Sequence, residues 1–250
     1  MKEEVFNKWF NVFILAGMSV AIILAAVFTR SSDEAAWFLL FVSAFGSLMG
    51  VASTVASANG KIITFLFGFL DVSIYGVICF LNWRNTGTGL GNCVLHLAYF
   101  VPMQFVGYRQ WKARSSSDAG SGLKARRFNK RQALLCTAGF LLLTVVCYIV
   151  INAFDHSAAE GFIKVAVLLD VIPLACNIIG QLLMSVAFME QWIFWIGVNV
   201  FSILMWVFSL KAGGEDYALI YIIKYVFYLI NSFNGLRIWI GLSKPGGVCK

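Results

Sequence analysis

A stripe of aromatic and amide side chains lies within one apolar stretch of the chain. The stretch runs from Glu190 to Trp206 and reads E-Q-W-I-F-W-I-G-V-N-V-F-S-I-L-M-W. At helical spacing one face carries five of its side chains: Trp192, Trp195, Asn199, Ser202 and Trp206. A polar side chain is costly in hydrocarbon, so it usually faces protein, a cavity or a solute path. We predict that this face forms one wall of a site for a flat, hydrogen-bonding solute.

Other apolar stretches also carry amides. Gln104 lies one helical turn from Tyr108, and Pro102 beside it is predicted to loosen the backbone. Asn231 and Asn234 lie three residues apart, on one side of the last stretch. A side-chain amide can donate and accept hydrogen bonds, as recognition of a carboxamide requires. A hydrogen bond between helices is the alternative role for Gln104, and we expect at least one of the two asparagines to reach the site.

Two aspartates lie in apolar stretches, Asp71 on one face with Tyr75 and Asp170 in a later stretch. Such a carboxylate can carry a proton, bind a cation or hydrogen-bond a neighbouring helix, and the sequence leaves these roles open. The six cysteines form no C-x-x-C pair, so we interpret them as packing residues. We expect no metal, no cofactor and no enzymatic activity, since no catalytic spacing of nucleophile, base or paired carboxylates occurs.

The composition is that of a multi-pass membrane protein. Hydrophobic residues make up 60% of 250 positions and charged residues 12%, more apolar side chain than a soluble core of this size needs. A membrane-spanning helix needs roughly 20 apolar residues. The sequence predicts eight spans: 10–29, 36–57, 62–82, 92–111, 132–152, 162–188, 191–210 and 217–240.

The net charge of +7 is concentrated in one connection and does not indicate nucleic-acid binding. Eight basic residues cluster there: Arg109, Lys112, Arg114, Lys124, Arg126, Arg127, Lys130 and Arg131. The positive-inside rule places this loop in the cytoplasm. Alternation of the spans from it puts both termini in the cytoplasm.

A faint internal duplication organises the spans. Phe65, Gly68 and Ser73 match Phe194, Gly197 and Ser202 at a constant offset, and the motif F-x-G-x-R-x-W occurs at both 105–111 and 233–239. At these offsets three amides of the second repeat align with apolar residues of the first: Asn199 matches Leu70, Asn231 matches Met103, and Asn234 matches Val106.

The duplication predicts two parallel three-helix repeats joined by one linking helix, a 3+1+3 arrangement like that of the SWEET transporters, with the solute site where the repeats meet. The predicted organisation is an additional N-terminal helix at 1–30, a first bundle at 36–111, a basic loop at 112–131, a linking helix at 132–152, a second bundle at 162–241 and a tail at 242–250.

Three motifs resemble the bacterial nicotinamide riboside transporters of the PnuC family. They are L-A-Y-F-V-P-M-Q-F-V-G-Y-R-Q-W at 97–111, M-E-Q-W-I-F-W-I-G-V-N-V-F-S-I at 189–203 and Y-L-I-N-S-F-N-G-L-R-I-W at 228–239. N-G-K-I-I-T-F-L-F-G at 59–68 extends the resemblance over most of 36–241. The additional N-terminal helix departs from seven-helix members of the family.

The resemblance implies facilitated diffusion of nicotinamide riboside, made directional when a cytoplasmic riboside kinase phosphorylates the solute. It implies solute binding by Gln104, Trp192, Trp195, Asn199, Asn231 and Asn234, with Tyr75, Tyr108 and Gln191 as second choices. Trp192 or Trp195 would stack on the pyridinium. A proton-coupled transporter of another vitamin, such as thiamine, is the alternative. The expected surroundings are the lipid bilayer, and a homo-oligomer is compatible with the sequence.

Overall fold

The computed structural model describes residues 2–28, 34–86, 93–116, 123–154, 162–211 and 218–244, and these are almost entirely helical. The helices are α1 (Lys2–Phe28), α2 (Glu34–Ala58), α3 (Thr64–Thr86), α4 (Val101–Ser116), α5 (Lys130–Phe154), α6 (Phe162–Ser185), α7 (Gln191–Lys211) and α8 (Ala218–Leu242). Seven of the predicted spans each overlap one of these helices, and the fourth, 92–111, overlaps α4 together with the π-helical segment Leu95–Phe100 before it. Within the described ranges, five stretches are long and apolar enough to cross a membrane: Glu3–Phe28, Phe38–Ala58, Thr64–Leu81, Lys130–Ile151 and Gln191–Phe208. The all-helical membrane class is confirmed, and crossing by all eight helices stays a prediction.

The chain divides into two compact units, one formed by Met1–Lys124 with Gly246–Lys250 and one by Ala125–Pro245. In the first unit, α1 packs on α2, α2 on α3, and α3 on α4. In the second unit, α5 packs on α6, α6 on α7, and α7 on α8. In each unit, the middle one of the last three helices, α3 or α7, therefore packs against both the helix before it and the helix after it.

The additional helix α1 packs on the rest of the first unit through an apolar face and a pair of asparagine side chains. Its buried side chains are Ile14, Met18, Ala21 and Ile22. Asn11 and Asn59 exchange two side-chain hydrogen bonds, of 3.2 and 3.0 Å. Since Asn59 lies at the turn between α2 and α3, this pair fixes α1 to that turn.

A π-helical segment, Leu95–Phe100, leads directly into α4. The Val101 N–H donates to the carbonyl of His96, five residues earlier, as π-helical backbone does. Pro102 follows and has no N–H to donate to the preceding turn. The loosening of the backbone predicted beside Pro102 thus takes the form of a wider helical turn.

The linking helix α5 begins with a reciprocal cap and exposes much of its apolar surface. The Asn129 N–H donates to the Gln132 side chain at 3.0 Å, and the Gln132 N–H donates to the Asn129 side chain at 2.8 Å. Four of its leucines are more than half exposed: Leu134, Leu135, Leu141 and Leu142. Such a surface suits lipid better than water.

The turns before α3 and α7 have the same backbone structure. Gly60 and Ala187 both adopt left-handed backbone, with φ of 62° and 60°. The Lys61 N–H donates to the carbonyl of Ala56, and the Phe188 N–H donates to the carbonyl of Leu183, each at 2.9 Å. Both turns are helix C-caps of the Schellman type. Corresponding residues of the two turns are 127 positions apart.

This spacing corrects the alignment predicted for α3 and α7. The offset of 129, based on pairs such as Phe65 with Phe194, is wrong, because the shared turn sets the register of the helix that follows it. Phe65 corresponds to Trp192, Gly68 to Trp195, and Asn199 to Val72. The predicted correspondence of the two F-x-G-x-R-x-W motifs agrees with the packing, since Gly107 lies against the Phe65 ring and Gly235 against the Trp192 ring.

Candidate solute-binding site

Trp192 lies at the contact between α7 and α8. Its ring packs directly on Gly235, where an added Cβ would lie 2.5 Å from the nearest ring atom. It also meets the ring of Trp239 edge to face, with centroids 6.3 Å apart. Trp192 is 2% exposed, and its indole N–H has no hydrogen-bond partner among the described residues. It therefore joins two helices and retains an unused donor.

Asn199 contacts α8 one turn from the glycine contact. Its Nδ2 donates to Ser232 Oγ at 3.0 Å, and the Ser232 hydroxyl donates to the Tyr228 carbonyl at 2.8 Å. Because the hydroxyl hydrogen is used on Tyr228, Ser232 must accept from Asn199. The Asn199 amide therefore turns its NH₂ group toward Ser232 and its Oδ1 away from that hydroxyl.

Trp195 and Gln191 form a second pair on α7. The Trp195 indole N–H donates to Gln191 Oε1 at 3.5 Å, a long contact. Gln191 is fully buried, and its Nε2 has no partner within the described part of the chain. Trp195 is partly exposed, and its ring lies over Gly180 of α6, where an added Cβ would be 3.3 Å from the ring. Trp195 is therefore less enclosed than Trp192.

Asn231 and Asn234 of α8 are both buried, at 0% and 7% exposure. The Asn234 Oδ1 accepts from Nε and Nη2 of Arg237, at 3.2 and 3.0 Å. Its Nδ2 is buried and has no partner among the residues that the structure describes. Asn234 is therefore oriented as a donor.

Gln104 of the first unit is 4% exposed, and its Nε2 donates to the carbonyl of Phe100 at 3.3 Å. Its Oε1 faces Gly68 and has no hydrogen-bond partner within the described ranges. The second choices Tyr75 and Tyr108 are 45% and 43% exposed. Gln104 is thus the buried polar candidate of this unit, and it presents an acceptor.

The two aspartates of the apolar stretches lie on different helices, Asp71 on α3 and Asp170 on α6. Asp71 is partly buried and packs against Gly50, where an added Cβ would lie 2.8 Å from Oδ2. The side chain of Asp170 lies outside the described residues. In the described part of the chain, no group of three or more His, Cys, Asp or Glu side chains could hold a metal ion.

Every buried polar side chain in the described ranges is uncharged, being Ser, Thr, Asn or Gln. Sequence reasoning missed two of the residues that orient the amides, Ser232 and Arg237. Arg237 had a signal, since it belongs to F-x-G-x-R-x-W and follows Asn234 by three residues, the spacing of neighbours on a helix. Ser232 contacts Asn199 across 33 positions, and no local pattern indicates that contact.

Comparison with known proteins identifies the family. A family model described as nicotinamide mononucleotide transporter matches residues 40–241. The nicotinamide riboside transporter PnuC of Haemophilus influenzae is 30% identical over 249 residues, which cover 98% of this chain and 96% of the relative. The chain belongs to the PnuC family.

Two further comparisons extend over nearly the whole chain. The nicotinamide riboside transporter PnuC of Neisseria mucosa is 29% identical over 246 residues, covering 97% of this chain and 86% of the relative. A crystal structure of the vitamin B3 transporter PnuC is 27% identical, with a TM-score of 0.65, over 94% of this chain and 92% of that one. The predicted family is confirmed. PnuC proteins are multi-pass membrane transporters and not enzymes.

Proposed function

We propose that this PnuC protein carries nicotinamide riboside across the bacterial inner membrane by facilitated diffusion. A cytoplasmic riboside kinase then adds a phosphate, and the charged product cannot return. Both termini would be cytoplasmic, and the eight helices would form the 3+1+3 arrangement. The names of the relatives support the solute, since those of Haemophilus influenzae and Neisseria mucosa are both nicotinamide riboside transporters.

One observation favours the riboside over the mononucleotide named by the family model. The buried polar side chains within the described ranges are all neutral. A phosphate group is usually bound by Arg or Lys through charge-assisted hydrogen bonds. Ribose hydroxyls and a carboxamide need only neutral donors and acceptors. The guanidinium of Arg237 lies beside these amides, but two of its donors are used on Asn234 Oδ1. A site lined by amides therefore fits the unphosphorylated solute better.

The partly exposed Trp195 suits the pyridinium ring, because a flat cation is attracted to the face of an indole. The oriented amides supply both kinds of polar contact, with Asn199 offering an acceptor and Asn234 a donor. Gln104, Gln191 and Asn231 complete the proposed set, and Trp192 holds α7 against α8 beside it.

Uptake into proteoliposomes tests the transport mode. We expect labelled riboside to equilibrate across the membrane at a rate that a pH gradient does not change, and to accumulate when riboside kinase and ATP are enclosed. Uptake that stops when the pH gradient is collapsed would instead support the proton-coupled alternative. Phosphorylated riboside should enter much more slowly, and equal entry would refute selection against phosphate.

Binding to the purified protein tests the solute. Nicotinamide riboside should bind more tightly than thiamine, and Asn199→Ala should weaken riboside binding about three- to tenfold, the loss of roughly one hydrogen bond. Equal binding of the two vitamins would reject the proposed solute. Wild-type affinity in Asn199→Ala would reject the proposed site.

A further inference from the structure

Arg237 and Asn234 form a donor-only contact within α8. Both nitrogen atoms that reach the asparagine, Nε and Nη2, approach the same atom, Oδ1, at 3.2 and 3.0 Å. A guanidinium group carries five N–H donors and no acceptor. The amide must therefore turn its oxygen toward Arg237, and rotation by 180° would set an NH₂ group against a cation.

The amide nitrogen of Asn234, Nδ2, points away from Arg237 and is buried. Asn234 is 7% exposed, and its Nδ2 has no partner among the described residues. A buried donor that is left without a partner is destabilising. The next residue, Gly235, lies against the Trp192 ring, so this donor is close to the wall that the stripe forms.

The first unit contains the same motif without the amide. Arg109 corresponds to Arg237, and Val106 corresponds to Asn234. Arg109 therefore keeps the charge and the position in the helix but has no side-chain amide to orient. The contact belongs to the second repeat alone.

We infer that Arg237 is a positioning residue that fixes Asn234 as a hydrogen-bond donor to an uncharged oxygen of the solute, a carbonyl or a hydroxyl. This inference rests on the proposed function, because it requires a solute at this wall. It adds a specificity rule, since solute oxygens that accept are favoured at this point and groups that only donate are excluded.

Calorimetric binding of nicotinamide riboside to four purified full-length variants tests the inference. Arg237→Gln should weaken binding about three- to tenfold, since glutamine can donate or accept and lets the amide rotate. Asn234→Ala should weaken it by a similar factor. In the double variant, Arg237→Gln should cause no further loss beyond Asn234→Ala. The matched Arg109→Gln should bind within about twofold of wild type.

Ligand analogues then identify the oxygen. If the solute oxygen is the carboxamide carbonyl, Arg237→Gln should weaken binding of 3-acetylpyridine riboside, which has that carbonyl. The same change should leave binding of pyridine riboside, which lacks it, unaltered. If the solute oxygen is a ribose hydroxyl, Arg237→Gln should weaken binding of both analogues. A loss from Arg237→Gln that simply adds to that of Asn234→Ala, or an equal loss from Arg109→Gln, would overturn the positioning role. Failure of wild type to bind any riboside would instead refute the proposed function.

Discussion

Replacing Gly235 by alanine tests whether the close approach of α7 and α8 depends on a missing side chain. The added Cβ would lie 2.5 Å from the nearest Trp192 ring atom, whereas ordinary contact begins at 3.4 Å, so the ring must move by about 0.9 Å. Trp192 is 2% exposed and also packs on Trp239. A large, enclosed ring has little room to move.

Two opposing effects set the size of the change. Overpacking a well-packed core costs about 1–3 kcal/mol, and replacing glycine by alanine inside a helix stabilises by about 1 kcal/mol. Gly241, in the same helix, has nothing within 4 Å of an added Cβ, so Gly241→Ala receives only the favourable effect. We expect Gly235→Ala to be less stable than Gly241→Ala by about 1–3 kcal/mol. At about 2–4 °C per kcal/mol for a chain of this size, this is a readily measured difference in Tm.

Thermal unfolding of both variants in the same detergent provides the measurement. Trp192→Phe removes the ring atoms that meet residue 235, so combining it with Gly235→Ala should cost less than the sum of the two changes. A Tm for Gly235→Ala equal to or above that of Gly241→Ala would refute the reasoning. Additivity in the double variant would show that the two residues do not meet as the structure places them.

Three further changes test other parts of the molecule. Trp195→Ala should weaken riboside binding more than Trp195→Phe, because only phenylalanine keeps an aromatic face for the pyridinium; equal losses by calorimetry would contradict stacking. Asp71→Asn should leave proteoliposome uptake insensitive to a pH gradient, as in wild type, and abolished uptake would point to proton coupling. Asn11→Ala breaks two hydrogen bonds to Asn59 and should lower Tm without changing the riboside Kd, since α1 lies outside the repeats; a weakened Kd would give α1 a role in binding.

The positions of the helices follow from the sequence because the membrane requires long apolar runs, and such runs are visible in a single chain. The residue types of the proposed site can also be predicted from the sequence, since amides such as Asn199 stand out against apolar neighbours. The direction in which each amide points cannot be predicted in this way. Asn199 is oriented by Ser232 of another helix, and pairing between helices depends on packing that spacing alone does not specify.

The register of the two repeats could not be read correctly because identical residues are a poor guide in apolar helices. Phe65 and Phe194 match by type, yet Phe65 shares its packing role with Trp192, since each ring covers a glycine of the last helix in its unit. What the repeats share most closely is the backbone of the turn, in which Gly60 is replaced by Ala187 at nearly the same φ. A backbone conformation that both repeats share leaves little sign in the sequence when the residues that adopt it differ.

The corrected register explains how the second repeat accommodates Trp195 on its middle helix. In the first unit, α2 places Ser53 against Gly68 of α3. In the second unit the glycine lies on the other helix of the pair: the counterpart of Ser53 is Gly180 of α6, and the counterpart of Gly68 is Trp195 of α7. A tryptophan at this position of the middle helix requires the neighbouring helix to give up its side chain, since an added Cβ at Gly180 would already lie 3.3 Å from the ring. Gly180 of α6 is therefore as necessary to the proposed wall as Trp195 itself, although glycine has no side chain with which to contact a solute.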